Sequence, residues 1–224
     1  MKKKIMLGSL VLVFALLLFS PIPSKALQYD LTFVYSEEGG PTSTPPWATA
    51  TFEIITGGVS LTLQASLESA GEFISNWYFN FDPTLDINNL SIAQSSSGPT
   101  AAIRQGADGF RAGGDGYFDI LFIFPTSNGR GSDRFNNTDT AVFTFTWNGN
   151  GTITDNSFAF VSANRGGEGI FHTAAHLQGI PNRAEGADSA WIADTASVPE
   201  PATMLLLGFG LIGMGIFVRR RFKK

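Results

Sequence analysis

The middle of the chain alternates. Trp77, Phe79 and Phe81 are interleaved with Tyr78, Asn80 and Asp82, and the same period of two runs through Phe118, Ile120, Phe122 and Phe124 and through Phe143, Phe145 and Trp147. Successive side chains of a strand point to opposite faces, so each run presents one face for burial. Residues 31–35, 49–55, 59–67 and 158–161 read the same way, and Phe, Val, Ile, Thr and Trp fit a pleated surface. Turn signals fall between the runs: Gly39-Gly40-Pro41, Gly57-Gly58, Ser95-Ser96-Ser97-Gly98-Pro99, Gly113-Gly114, Asn128-Gly129 and Asn148-Gly149-Asn150-Gly151. No amphipathic helix competes, and no repeat period marks a solenoid or propeller. Eight or more short strands predict an all-β domain, an antiparallel β-sandwich of jelly-roll or immunoglobulin-like type, with a closed barrel as the alternative.

The two ends follow other rules. Lys2, Lys3 and Lys4 precede an apolar stretch over residues 5–19, Pro21 and Pro23 break it, and Ser24-Lys25-Ala26 supplies a small-x-small site. That is the layout of a signal peptide, residues 1–26, cut by signal peptidase after Ala26. At the far end, residues 202–218 carry no charge. As a helix they span ~26 Å at 1.5 Å per residue, at the short edge for a hydrocarbon core of ~30 Å. Arg219, Arg220, Arg221, Lys223 and Lys224 follow, and a basic flank stays cytoplasmic. The expected architecture is therefore a β ectodomain flanked by an N-terminal signal helix and a single C-terminal transmembrane helix. Both ends agree on one topology, with residue 27 onward outside.

Pro199-Glu200-Pro201 stands just outside the predicted span. Each proline fixes φ, lacks an N–H and pushes its predecessor to extended geometry, so the triplet offers an accessible extended backbone at the outer membrane surface. Val198-Pro199-Glu200-Pro201-Ala202-Thr203, an apolar segment with Gly208, Gly210, Gly213 and Gly215, and then Arg219-Arg220-Arg221 together resemble the PEP-CTERM sorting signal. The same tail is similar to one labelled the C-terminal domain of ice-binding proteins, a label that describes the tail alone. The resemblance implies an exosortase-type transpeptidase as partner, recognition at the triplet, a membrane-tethered precursor, and delivery to the surface of a Gram-negative bacterium that makes exopolysaccharide. It divides the chain into a signal peptide (1–26), an ectodomain (27–196) and a sorting signal (197–224) with spanning helix 202–218 and basic tail 219–224.

The exported part is far more acidic than the whole. All six lysines lie in the leader or tail, and residues 27–198 hold six arginines against 18 acidic side chains, a net charge of −12. Such a surface repels nucleic acid phosphates and anionic lipid, and it keeps a secreted domain soluble. There is no cysteine, which excludes disulfides, thiolate metal sites and cysteine nucleophiles. A domain of this length can carry its stability on core burial alone.

Candidate chemistry is sparse. His172 and His176 are spaced by four in FHTAAHLQGI, but Thr173 stands where a zincin motif needs glutamate. Read as a strand, the segment points both histidines outward, opposite Phe171, Thr173, Ala175 and Leu177. Calcium is a candidate cofactor at loops rich in oxygen ligands: Asp82, Asp86 and Asn88, or, better, Asp133, Asn136, Asn137 and Asp139. Neither loop follows EF-hand spacing, and Asp and Asn also serve ordinary turns. No nucleophile elbow, P-loop or dinucleotide fingerprint occurs, so a non-enzymatic protein is expected. The alternative is a secreted glycosidase-like hydrolase using Asp82, Asp86 or Asp119. Trp77 and Trp147 read as core, whereas Trp47, after Pro45-Pro46, reads as an exposed glycan contact. Thr-x-Thr pairs such as Thr144 and Thr146 are isolated in the sequence. Residues 174–180 and 187–194 resemble a closing motif of exported PEP-CTERM ectodomains, with Leu177 for valine and Ala193 for glycine, and Trp191 capping the core. No activity attaches to that motif.

Overall fold

Alternation specifies which residues turn inward, and the computed structural model shows how the inward faces meet. It describes residues 26–35, 40–41, 43–68, 71–96, 98–127, 133–163, 170–181 and 188–195. The expected signal helix, the Pro-Glu-Pro triplet, the expected spanning helix at 202–218 and the basic tail all lie outside the described residues. Among those described, no helix is long and apolar enough to cross a membrane.

The strands are β1 (Leu27–Val34), β2 (Ala48–Ile55), β3 (Gly58–Ala65), β4 (Phe73–Phe79), β5 (Leu90–Gln94), β6 (Ala102–Ala112), β7 (Asp115–Ile123), β8 (Phe135–Asn136), β9 (Thr140–Trp147), β10 (Thr173–Gln178) and β11 (Ser189–Asp194). They form one sheet in the order β5-β9-β3-β2-β1-β11-β10-β4-β7-β6, with β8 added on β4. Every pairing is antiparallel. The sheet is nearly closed into a barrel-like shape, so the expected two-sheet sandwich gives way to the barrel alternative. Alternation is identical in both architectures, because it reports inward residues and not whether they face a second sheet or the far wall of the same one.

The seam lies between β5 and β6, the two ends of the strand order. Side chains close it. Gln105 Nε2 donates to Leu90 O at 2.8 Å and Ile87 O at 3.2 Å. Gln94 Nε2 donates to Gly98 O and Pro99 O while its Oε1 accepts from Ala101 N. Unpaired edges invite pairing with other chains, and these contacts occupy part of both.

The interior is aromatic. Phe52, Phe79, Phe122, Phe143, Phe145 and Phe158 are buried together. Rings meet at 4.5 Å between Phe52 and Phe158 and between Phe122 and Phe143. Each such burial contributes about 1.5–3 kcal/mol. Phe158 reaches the core from a 3-10 turn (Asp155–Phe158), so the strand expected at 158–161 is absent: a loop delivers the ring as a plug. Trp77 is fully buried, and its indole N–H donates to Thr173 Oγ1 at 2.8 Å.

A second cluster covers the outside of the wall. Tyr35, Tyr78, Phe118, Phe171, Ala174 and Ala193 are its main members. Phe118 belongs here, although its alternation with Ile120 and Phe122 predicts the interior. The reason is a break in β6–β7 register between Gln105 and Phe110, beyond which the hairpin end lies against the outer face of β11. At its tip Gly113, at φ +57, approaches Trp191 so closely that a Cβ would come within 2.7 Å of the ring. Only glycine combines that backbone angle with that contact.

Candidate functional site

The predicted functional segments attach at the two chain ends of the barrel, and those ends are neighbours. β1 lies between β2 and β11, and Leu31 pairs with Asp194. Ala26, the predicted cleavage position, immediately precedes β1, and only Thr195 and Ala196 separate β11 from residue 197. Because the two strands run antiparallel, the start of β1 and the end of β11 emerge at one end of the barrel.

Asp194 locks that end. Its Oδ1 accepts the backbone N–H of His172 and of Thr173, both at 3.0 Å, and its Oδ2 contacts His172 Nδ1 at 2.7 Å. A carboxylate only accepts, so His172 Nδ1 carries the proton. The Tyr29 ring stacks on His172 at 4.8 Å, and its hydroxyl donates to Phe158 O. Burial, then Asp194 and Asp155, push the Tyr29 hydroxyl well above its ordinary range. His176 lies apart from His172 in function: its ring stacks on Trp191 at 4.4 Å and meets Ser75 Oγ at 3.1 Å. The two histidines share β10 and its neighbourhood but serve different contacts.

The acidic candidates hold turns. In the better calcium loop, Asp139 Oδ2 accepts Asn136 N at 2.9 Å, Asp139 N donates back to Asn136 O, and Thr138 sits at φ +64. Asp133 stands outside that ring of bonds, exposed. Asp86 Oδ1 accepts from Asn88 N and Nδ2, capping the turn Ile87–Asn89, and Asp82 Oδ1 accepts from Thr84 N and Oγ1. Among the described residues no three His, Asp or Glu side chains gather as a metal-holding group.

Asp82 and Asp119 do share a depression of about 290 Å³ with Asp108, Asn80 and Val161, which Asp86 does not line. Burial raises the Asp119 carboxyl above its usual range, against the pull of two backbone hydrogen bonds. Those bonds are to Phe81 N at 2.8 Å and Asp108 N at 2.7 Å, so both carboxylate oxygens tie the end of β4 to β6. A carboxylate so engaged acts as a staple.

Trp77 is core as its alternation predicts, but two other tryptophans depart from the sequence expectation. Trp47 is buried, 7% exposed, with its indole N–H donating to Ser43 O at 2.7 Å. It has no flat face to offer a sugar, because the loop carrying Pro45-Pro46 folds back and Trp47 N bonds to Leu31 O. Trp147 is half-buried instead of fully internal, and its N–H donates to Asn150 O. It lines a half-open groove of about 390 Å³ with Ile54, Ile55, Gly57, Gly151 and Ile153.

Residues 197–221 match the family described as the PEP-CTERM protein-sorting motif. The chain carries a PEP-CTERM sorting signal. No curated protein and no solved structure matches the chain. The PEP-CTERM match embraces Pro199, Glu200, Pro201, Arg219, Arg220 and Arg221, which the sequence had singled out, and it supports an exported protein sorted by exosortase. In this PEP-CTERM protein the signal begins almost directly at the end of β11. The groove beside Trp147 is the feature sequence reasoning missed. Its traces were present: adjacent Ile54 and Ile55 break the alternation, and Asn-Gly-Asn-Gly follows Trp147 at once.

Proposed function

We propose that the chain is exported through its leader, held in the inner membrane by segment 202–218, and processed at Pro199-Glu200-Pro201 by an exosortase-type transpeptidase. The ectodomain then resides at the cell surface or in the extracellular matrix as a non-enzymatic, structural or glycan-contacting module within exopolysaccharide. The match at residues 197–221 is the observation that carries this reading. The position of the barrel ends supports it: signal peptidase cleavage after Ala26 leaves Leu27 paired with Phe52 as the first residue, and β11, the last strand before the sorting signal, finishes at the same end of the barrel. The net charge of −12 suits a module that stays soluble outside the cell.

The test is mass spectrometry of the mature protein from hosts with and without exosortase. The expected result is a polypeptide beginning at Leu27 in both, lacking the C-terminal tail only where exosortase is present. An intact 197–224 tail in both hosts refutes the sorting reading.

A further inference from the structure

The groove at the β2–β3 turn has no part in the sorting chemistry. Ile54 is 50% exposed and Ile55 38% exposed at the end of β2, and both line the same groove as Trp147 and Ile153. Single exposed isoleucines need no explanation, but four large apolar residues lining one concavity do. The walls between them are bare backbone: Gly57 and Gly151, at φ +86 and +84, have no heavy atom within 4 Å of where a Cβ would stand. Gly149 lies against the indole, where a Cβ would come within 2.5 Å of Trp147 Cζ2. The indole N–H is already bonded to Asn150 O, so Trp147 brings ring surface and not a donor to the groove. Thr152 and Thr154 add hydroxyls to the lining.

Charge narrows the occupant. The exported domain carries −12, yet no lining residue of this groove is charged, in contrast to the depression holding Asp82, Asp108 and Asp119. An anionic polymer is repelled by the domain and finds no cation here. A second copy of the domain meets the same like-charge repulsion. The volume of about 390 Å³ falls within the ~300–1,000 Å³ of small-molecule sites. A pyranose ring has an apolar C–H face suited to an indole and hydroxyls on its rim suited to threonines.

We propose that this groove seats an uncharged pyranose unit of a polysaccharide, its C–H face on Trp147 and its flank on Ile54 and Ile55. The inference rests on the glycan-contacting reading above and gives it a site and a ligand class.

The full chain, purified in a detergent without a sugar headgroup, is titrated with neutral gluco-, galacto- and manno-oligosaccharides and with an oligouronate. Tryptophan emission and calorimetry report binding. At least one neutral oligosaccharide binds saturably and in preference to the uronate. Ile54→Asp and Trp147→Phe each weaken it tenfold or more, and Ile54→Asp, at a half-exposed position, leaves the melting temperature unchanged. Equal binding by wild type and both variants places the glycan elsewhere and overturns the groove while sparing the glycan-contacting reading. Absence of binding to every neutral sugar overturns both. Preference for the uronate overturns the ligand class, and self-association abolished by Ile54→Asp makes the groove an interface between copies instead.

Discussion

His176 illustrates how one side chain ties acid sensitivity to the outer wall of the barrel. Its ring is stacked on Trp191 and hydrogen-bonded with Ser75 Oγ. Burial lowers its proton affinity below the ordinary imidazole value of 6.5, and Asp188 offsets this only in part. The folded state therefore binds its proton less readily than the unfolded chain. Stability contributed by the neutral ring is present above pH 6.5 and is lost as pH falls through the lowered folded value. Melting temperature should fall between pH 7 and pH 5 in the wild type, and more gently in His176→Gln. Parallel pH profiles for the two proteins would show that this ring does not couple protonation to folding. Trp47 teaches the opposite lesson about single residues. Two prolines before it announce a loop, but nothing local reveals that the loop turns inward and buries the indole.

Among the elements, the hairpin β2–β3 and the strands β4, β7 and β9 were legible, because aromatic alternation and glycine turns both act locally. β5 and β6 were not. β6 reads Ala102-Ile103-Arg104-Gln105-Gly106-Ala107, with little apolar periodicity, since an end strand at the seam has little to bury. Closure of the sheet was equally invisible, resting in part on the Gln105 side chain, which reaches from one end strand to the other. The closing histidine segment forms a strand, one of the two readings its spacing allows, but Phe171 joins the outer cluster instead of the interior, and the role of the segment around Asp194 depends on a pairing 22 residues away. Gln105→Ala tests the seam. Leu90 O and Ile87 O lose the Gln105 donor, although Ile87 O keeps the N–H of Leu90, and the loss costs about 1 kcal/mol in urea unfolding. Amide exchange should quicken first in β5 and β6. Uniform acceleration through β2 and β3 would mean the sheet does not open at its seam.

Over the whole molecule, pairing is dominated by distant partners. β1 joins β11, β3 joins β9, and β4 joins β10. Closing such loops precedes any reward from the contacts they bring, so refolding from denaturant belongs in the millisecond-to-second range of β-rich domains, about 10⁻³ to 1 s. Stopped-flow tryptophan fluorescence measures this, and the rate is unaffected by reductant because the chain has no cysteine. Complete folding within microseconds would contradict the long-range order of assembly. The strand order also sets a schedule for biogenesis. The earliest strand to leave the secretion channel must wait for the latest, since β1 has an open flank until β11 arrives beside it. The sorting signal starts at residue 197, after the last strand, so a cut within it spares the β11 edge that covers the open flank of β1.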